Sequence, residues 1–400
     1  MAAFNENRTR GLFMVVAGEP SGDLHGAGLV RALKQERPDA LLFGIGGELM
    51  EREGVEVLYP VEKMAFLGFV EVLRHLPFVR KVFHTLMKEI EKRKPDAVIL
   101  IDYPGFNIRL AKRIRKKFGD AVKIIYYISP QVWAWKKKRI YTIAAHVDAI
   151  AVVFPFEEDL YRKTGVHVRF VGHPLLENVT PTRSRENFYS SLGLDPDATT
   201  LALLPGSRKQ EVRKHLAVML KAGELLRKRV PGLQIIIGKT SYLSRSFYEE
   251  QMHDTRIESP DVTVAVSEEI YNVMHFSKIM IVSSGTATLE AGISGTPMVI
   301  IYKMSPVTYH IARRLVKLPF IGLVNIVHGK KVVPELIQRD ATPEKIAEVL
   351  AHILTNETIF TGMQRTLKET TSLLGAPGAG RRTAEFLLEI LHDPPSDTSQ

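Results

Sequence analysis

Short, almost uninterrupted apolar runs recur along this chain, and each gives way to a polar or glycine-rich loop and then to a helix-forming stretch. Leu12 to Ala17, Ala40 to Phe43, Asp96 to Ile101, Lys123 to Ile128, Ala149 to Phe154 and Val168 to Val171 make a first series. A second series starts at Leu201 to Leu204 and continues through Leu233 to Ile237, Val262 to Val266, Lys278 to Val282 and Met298 to Tyr302. These runs are too short for buried helices and lack the alternation of a sheet with one wet face. They read as strands of parallel sheets covered by helices on both sides. In such sheets ligands collect at the carboxyl ends of the strands, so the loops there are where chemistry is expected.

Two series in 400 residues imply two cores. The expected fold is α/β: two Rossmann-like, doubly wound domains facing a cleft, in the GT-B manner. The first domain is expected over 1–180 and the second over 181–365, joined through the polar, proline-bearing stretch 178–198. C-terminal helices over 366–392 could cross back to the first domain, and 393–400 reads as a disordered tail. The first glycine loop, Gly18 to Gly28, lacks the G-x-G-x-x-G spacing, which disfavours NAD. No cysteine is present, which removes disulfides, thiolate nucleophiles and Cys-held metals and fits a cytoplasmic protein. Arg8 and Arg10 precede an apolar run too short for a signal peptide, and no window offers the ~18 apolar residues of a membrane span. The net charge of +10 calls for an anionic partner: nucleic acid, an anionic membrane surface or a phosphorylated substrate.

Residues 281–303 offer the clearest phosphate site. A buried strand runs into Ser284-Gly285-Thr286-Ala287-Thr288, which opens a helix, and a second buried strand follows. Bare amides and hydroxyls at a helix start stabilise phosphate. Glu290, one turn deeper on the same face as Thr286, could accept hydrogen bonds from ribose hydroxyls. The plainer alternative is an αβ turn built of small residues. Asp195-Pro-Asp197 is the sole D-x-D and reads as a proline turn. The histidines lack ligand spacing, so no metal is expected. Trp133 and Trp135, followed by Lys136 to Arg139, could anchor at a membrane, stack on nucleic acid or simply pack. Residues 64–87 carry Phe66, Leu67, Phe69, Val70 and Leu73 among Arg74, Arg80 and Lys81. Aromatic and aliphatic side chains beside bases suit acyl chains and anionic headgroups, although a plain core segment is the alternative.

Five blocks together carry a resemblance: Val16 to Gly28 (VAGEPSGDLHGAG), Ile101 to Asn107 (IDYPGFN), Ser129 to Trp135 (SPQVWAW), Leu203 to Arg208 (LLPGSR) and Ser284 to Glu290 (SGTATLE). In this order they resemble the lipid-A-disaccharide synthase family over about residues 12 to 390. The resemblance implies an inverting, metal-independent transfer without a cofactor. The 2,3-diacylglucosamine of a UDP donor would pass to the 6-hydroxyl of 2,3-diacylglucosamine 1-phosphate, giving a β-1,6-linked disaccharide and UDP. It also implies a cytoplasmic enzyme held peripherally on the inner face of the cytoplasmic membrane, with a homodimer left open.

Such a reaction needs a base for the acceptor hydroxyl and positive potential at the departing diphosphate. Arg208, on the loop after a second-domain strand, could face the diphosphate; a surface arginine is the alternative. Asp102 ends a long buried strand of the first domain and is the expected base, unless it only shapes the turn before Pro104. Glu19, Asp23 and His25 share the first glycine loop and could touch acceptor or sugar, although Asp23 could equally favour a helix start. Ser21, Asn107, Ser207 and Asn325 complete the candidate substrate contacts, beside Ser284, Gly285, Thr286, Ala287, Thr288 and Glu290. The rivals are an epimerase or transferase acting on another UDP-sugar, against which the apolar 64–87 stretch speaks, and a basic RNA-binding protein. No RNP or KH pattern supports the latter, so no nucleic-acid partner is expected.

Overall fold

The computed structural model describes residues 11–64, 76–131, 138–240, 243–255, 264–305, 309 and 318–392. The chain divides into two compact units, Met1–Pro174 with Leu374–Gln400 and Leu175–Leu373. The membrane-contact candidates Phe66, Leu67, Phe69, Val70 and Leu73 and both tryptophans lie outside the described residues.

In the first unit the strands are β1 (Leu12–Ala17), β2 (Leu41–Gly46), β3 (Val55–Pro60), β4 (Ala97–Ile101), β5 (Lys123–Tyr127), β6 (Ala149–Val152) and β7 (His167–Phe170). They form one sheet of order β3-β2-β1-β4-β5-β6-β7, and every described pairing is parallel. Helices α1 (Pro20–Glu36), α2 (Glu48–Arg52), α3 (Leu76–Arg93), α4 (Pro104–Phe118), α5 (Lys138–Ala144) and α6 (Pro155–Arg162) alternate with the strands. The central strands are dry on both faces, with Phe13 to Ala17 and Ala97 to Ile101 essentially without solvent contact. That is why their sequences read as continuous apolar runs.

The second unit repeats the plan. Its strands are β8 (Thr200–Leu204), β9 (Gln234–Gly238), β10 (Val264–Ser267), β11 (Ile279–Ser283), β12 (Met298–Tyr302) and β13 (Glu335–Ile337). Their order is β10-β9-β8-β11-β12-β13, again parallel. Its helices are α7 (Arg185–Ser191), α8 (Lys209–Arg227), α9 (Arg245–Asp254), α10 (Ile270–Phe276), α11 (Ala287–Ser294), α12 (Leu323–His328), α13 (Pro343–Thr355) and α14 (Glu357–Leu373).

The last helix, α15 (Ala379–His392), belongs to the first unit and packs on α1. Small residues allow the close crossing: a Cβ placed on Gly380 would come within 2.8 Å of the Gly28 carbonyl oxygen. Burial of Phe386, Leu387 and Ile390 then removes apolar area from water at roughly 25 cal/mol per Å².

Candidate active site

Each sheet has one place where the chain reverses its direction of winding. In the first unit it lies between β1 and β4, because β1 leads outward to β2 whereas β4 leads the other way to β5. Loops leaving adjacent strands diverge at such a point and open a crevice. Glu19 follows β1 and Asp102 follows β4, so the two carboxylates belong to that crevice.

Asp102 and Tyr103 both have left-handed backbones, with φ of 43° and 48°. Each costs on the order of 1 to 2 kcal/mol in a residue with a Cβ. A dense set of bonds holds the pair there. The Asp102 amide donates to the Tyr127 carbonyl at 3.1 Å. The Asp102 carbonyl accepts from Asn107 Nδ2 at 2.8 Å and from the Tyr126 hydroxyl at 2.6 Å. Asn107 also donates to the Ile101 carbonyl at 3.1 Å, and the Tyr103 hydroxyl donates to the Met64 carbonyl at 2.8 Å. The Tyr103 ring lies so close to Gly18 that a Cβ there would sit 2.1 Å from a ring carbon, so the first loop needs glycine at this position.

This packing sets the chemistry of the carboxyl group. Burial, and after it the nearby Glu19 carboxylate, push the Asp102 pKa from 3.8 up to about 7, with a backbone hydrogen bond from Tyr103 opposing them. A carboxylate poised near neutrality is matched to general-base work.

On α1, burial pushes His25 down to about 4, and its buried Nδ1 has no hydrogen-bond partner among the described residues. His173 is pushed down to about 3 by burial and by His25 beside it. Both rings are therefore neutral at pH 7. Ser21 is exposed in the first turn of α1.

Asp23 serves a helix start, the alternative to a substrate contact, although the helix is α2 and not its own. Its carboxylate accepts the amides of Gly47 at 2.7 Å and of Leu49 and Met50 at 3.1 Å, so it caps the start of α2. Asn107 is likewise a brace: it is buried, and its amide nitrogen is shared among the carbonyls of Val16, Ile101 and Asp102.

In the second unit the reversal falls between β8 and β11. After β8 comes Pro205-Gly206-Ser207-Arg208, opening α8; after β11 comes Ser284-Gly285-Thr286, opening α11. Glu211 organises the first loop by accepting the Ser207 amide at 3.2 Å and the Arg208 amide at 3.4 Å. The Arg208 side chain is about half exposed (53%) and makes a long ion pair with Glu211 at 3.8 Å.

At the α11 start, Gly285 and Thr286 are exposed. The Thr288 amide donates to the Gly285 carbonyl at 3.1 Å, and the Leu289 and Glu290 amides donate to the Thr286 carbonyl at 2.9 and 3.2 Å, so the donors that face outward are those of Gly285 to Ala287. Ser284 Oγ donates to the Ile321 carbonyl at 2.9 Å. Thr288 turns inward: its hydroxyl donates to the Gly285 carbonyl at 2.8 Å and accepts the Leu323 amide at 3.0 Å. Glu290 accepts from the Tyr271 hydroxyl at 3.2 Å, and burial raises its pKa despite that bond.

Asn325 was expected to touch substrate, but its polar atoms are occupied within the unit. Nδ2 donates to the Val333 carbonyl and to Glu335 Oε1, each at 2.9 Å; Oδ1 accepts the amides of Val332 at 2.8 Å and Val333 at 3.0 Å. Those bonds brace the segment leading into β13.

With these geometries in hand, comparison with known proteins decides the family. The sequence model described as "Lipid-A-disaccharide synthetase" matches residues 13–389. The chain is 44% identical over 378 residues to the lipid-A-disaccharide synthase of Geobacter sulfurreducens, covering 94% of this chain and 97% of the relative. It is 41% identical over 379 residues to that of Myxococcus xanthus, with the same coverage of both chains. The chain belongs to the lipid-A-disaccharide synthase family.

It is accordingly a glycosyltransferase of lipid A biosynthesis. Among solved structures, the UDP-GlcNAc 2-epimerase of Neisseria meningitidis bound to UDP-GlcNAc superimposes with a TM-score of 0.64 at 12% identity, covering 94% of this chain and 100% of that one. The calicheamicin glycosyltransferase CalG4 gives a TM-score of 0.58 at 14% identity, covering 96% and 99%. At these identities the likeness is one of fold: the α/β, two-Rossmann architecture of GT-B enzymes.

Within this family member, three residues escaped the reading of the sequence. Tyr126, Tyr271 and His215 all act through tertiary contacts with residues distant in the chain. A hydroxyl-bearing residue inside an apolar strand, as Tyr126 is in β5, was the one available signal, because buried hydroxyls need partners.

Proposed function

We propose that this glycosyltransferase moves 2,3-diacylglucosamine from its UDP donor to the 6-hydroxyl of 2,3-diacylglucosamine 1-phosphate. The transfer inverts the anomeric centre and uses no metal. The reading rests on Asp102, a carboxylate held on strained backbone at the first switch point with its pKa raised to about 7. It takes the proton of the acceptor hydroxyl as the new bond forms, while the bond from the anomeric carbon to the UDP oxygen breaks. Glu19, whose charge acts on Asp102, and neutral His25 of α1 serve sugar or acceptor hydroxyls, with exposed Ser21 nearby on the same helix.

The second unit holds the nucleotide. The α11 start at Gly285, Thr286 and Ala287 takes phosphate oxygens, with Ser284 holding the turn through its bonds to the Ile301 and Ile321 carbonyls. Glu290 takes ribose hydroxyls, and Arg208 with Ser207 faces the charge that grows on the departing diphosphate. A UDP-sugar bound in the Neisseria structure of the same fold is consistent with this role.

No described helix is long and apolar enough to cross a membrane. Peripheral attachment to the inner face of the cytoplasmic membrane through Phe66, Leu67, Phe69, Val70 and Leu73 suits acylated substrates. Incubation with UDP-diacylglucosamine and the acylated 1-phosphate acceptor tests the proposal. Mass spectrometry should find a tetra-acyl disaccharide 1-phosphate and stoichiometric UDP; release of UDP without disaccharide, or only a 2-epimer of the donor, overturns it.

A further inference from the structure

His215 lies two turns into α8 and carries none of the motifs discussed above, yet it is fully buried at the carboxyl edge of the second sheet. Its Nε2 accepts the Lys303 amide at 3.0 Å. The ring proton therefore resides on Nδ1, which lies 2.9 Å from the Pro205 carbonyl and 3.1 Å from Ser283 Oγ. Pro205 follows β8, Ser283 ends β11 and Lys303 follows β12, so one imidazole ties together the ends of three neighbouring strands. The Tyr302 ring packs against it at 5.4 Å between centroids.

Two of the tied ends carry the loops that matter most. Pro205 begins the turn that presents Ser207 and Arg208, and Ser283 immediately precedes Ser284-Gly285-Thr286 at the α11 start. A hydrogen-bonded, planar ring admits little variation in the distance between its partners. We infer that His215 is a positioning residue for nucleotide binding: it fixes the Arg208 loop and the α11 start at the spacing a diphosphate requires. The inference rests on the reading of the second unit as the UDP site and adds the element that sets its geometry.

A binding measurement distinguishes this role from general support of the core. A core residue lost from the fold lowers the fraction of active molecules, whereas a lost positioning residue weakens ligand binding in every molecule that remains folded. His215→Phe keeps a planar ring and removes the contacts to Lys303, Pro205 and Ser283. His215→Asn offers an amide N–H toward Pro205 and gives up the bond to Lys303.

Isothermal titration with UDP alone, on full-length protein shown to be folded by near-UV circular dichroism, separates the outcomes. Loss of these contacts should weaken UDP binding roughly tenfold or more in His215→Phe, with partial recovery in His215→Asn. In turnover assays the KM for the UDP donor should rise while that for the acceptor stays unchanged. A folded His215→Phe that binds UDP within about twofold of wild type overturns the inference. If His215→Phe does not fold, His215→Asn decides, and unaltered UDP affinity there has the same meaning. Failure of the wild-type protein to bind UDP overturns the donor-site reading itself, and this inference with it.

Discussion

Asp102→Asn should make the protein both less active and more stable at alkaline pH, and the two effects have one cause. Burial and Glu19 raise the Asp102 pKa from 3.8 to about 7, so the folded protein binds this proton more tightly than the unfolded chain does. The stability that comes with the proton is therefore fully present below about pH 4 and is lost as pH rises through about 7. At about 1.4 kcal/mol per tenfold change in proton affinity, the loss has an upper bound near 4 kcal/mol. Asp102 as a residue is only partly buried, and relaxation and screening there reduce the expected effect to roughly 1 to 3 kcal/mol. Asparagine cannot ionise and tolerates the left-handed backbone at φ 43°. The variant should thus match wild type near pH 4 and unfold at a higher temperature from pH 8 upward, while turnover falls by roughly 10² to 10⁴. Thermal melts across pH 4 to 9, with turnover measured at pH 8, provide the test. A stability difference that is the same at pH 5 and pH 9 would refute the claim that the fold raises this proton affinity. Retained turnover would remove Asp102 as the base and make His25 the better candidate.

Glu19→Gln removes the negative charge that helps to raise the Asp102 pKa, so the acidic limb of the kcat/KM profile should move to lower pH; an unmoved limb means that burial alone sets it. Glu290→Ala should weaken UDP binding by about 1.5 to 3 kcal/mol, as for a lost hydrogen bond to a charged group, and calorimetry showing unchanged affinity removes Glu290 from the nucleotide site. Arg208→Ala should reduce kcat more than it raises the donor KM if the guanidinium meets charge that grows in the transition state; an effect on KM alone argues for ground-state binding. Replacing Phe66, Leu67, Phe69 and Leu73 with polar residues should release the protein from vesicles containing anionic lipid without unfolding it, and collapse of the fold would assign those side chains to the core.

How much of this arrangement the sequence discloses depends on the range of the interaction concerned. Strands such as Phe13 to Ala17 and Ile279 to Val282 are apolar because both faces are dry, so parallel sheets and their loop-bearing edges could be read directly. The edge strands β3 and β13 escaped because they are only partly buried: Glu56 faces solvent, and the three residues of β13 include Glu335. Their membership depends on neighbours, Leu42 to Gly46 in one case and Ile300 to Tyr302 in the other. The same distinction divides the site. Asp102, Arg208 and Ser284 to Thr286 could be singled out because they immediately follow strands, and position after a strand is local information. Whether a polar residue near such an edge faces outward or inward is not local. Asp23 caps α2, and Asn325 braces residues 332 and 333, because distant amides lie within reach of their side chains. The least legible feature was the pair of left-handed residues at 102 and 103, a conformation that aspartate tolerates and tyrosine does not favour. It persists because the Asp102 carbonyl meets Tyr126 and Asn107 together, and those contacts exist only once β4, β5 and α4 are assembled. The setting of Asp102 is thus made by the packing of the finished sheet, and substitutions at Tyr126 should alter its proton affinity without touching the carboxylate.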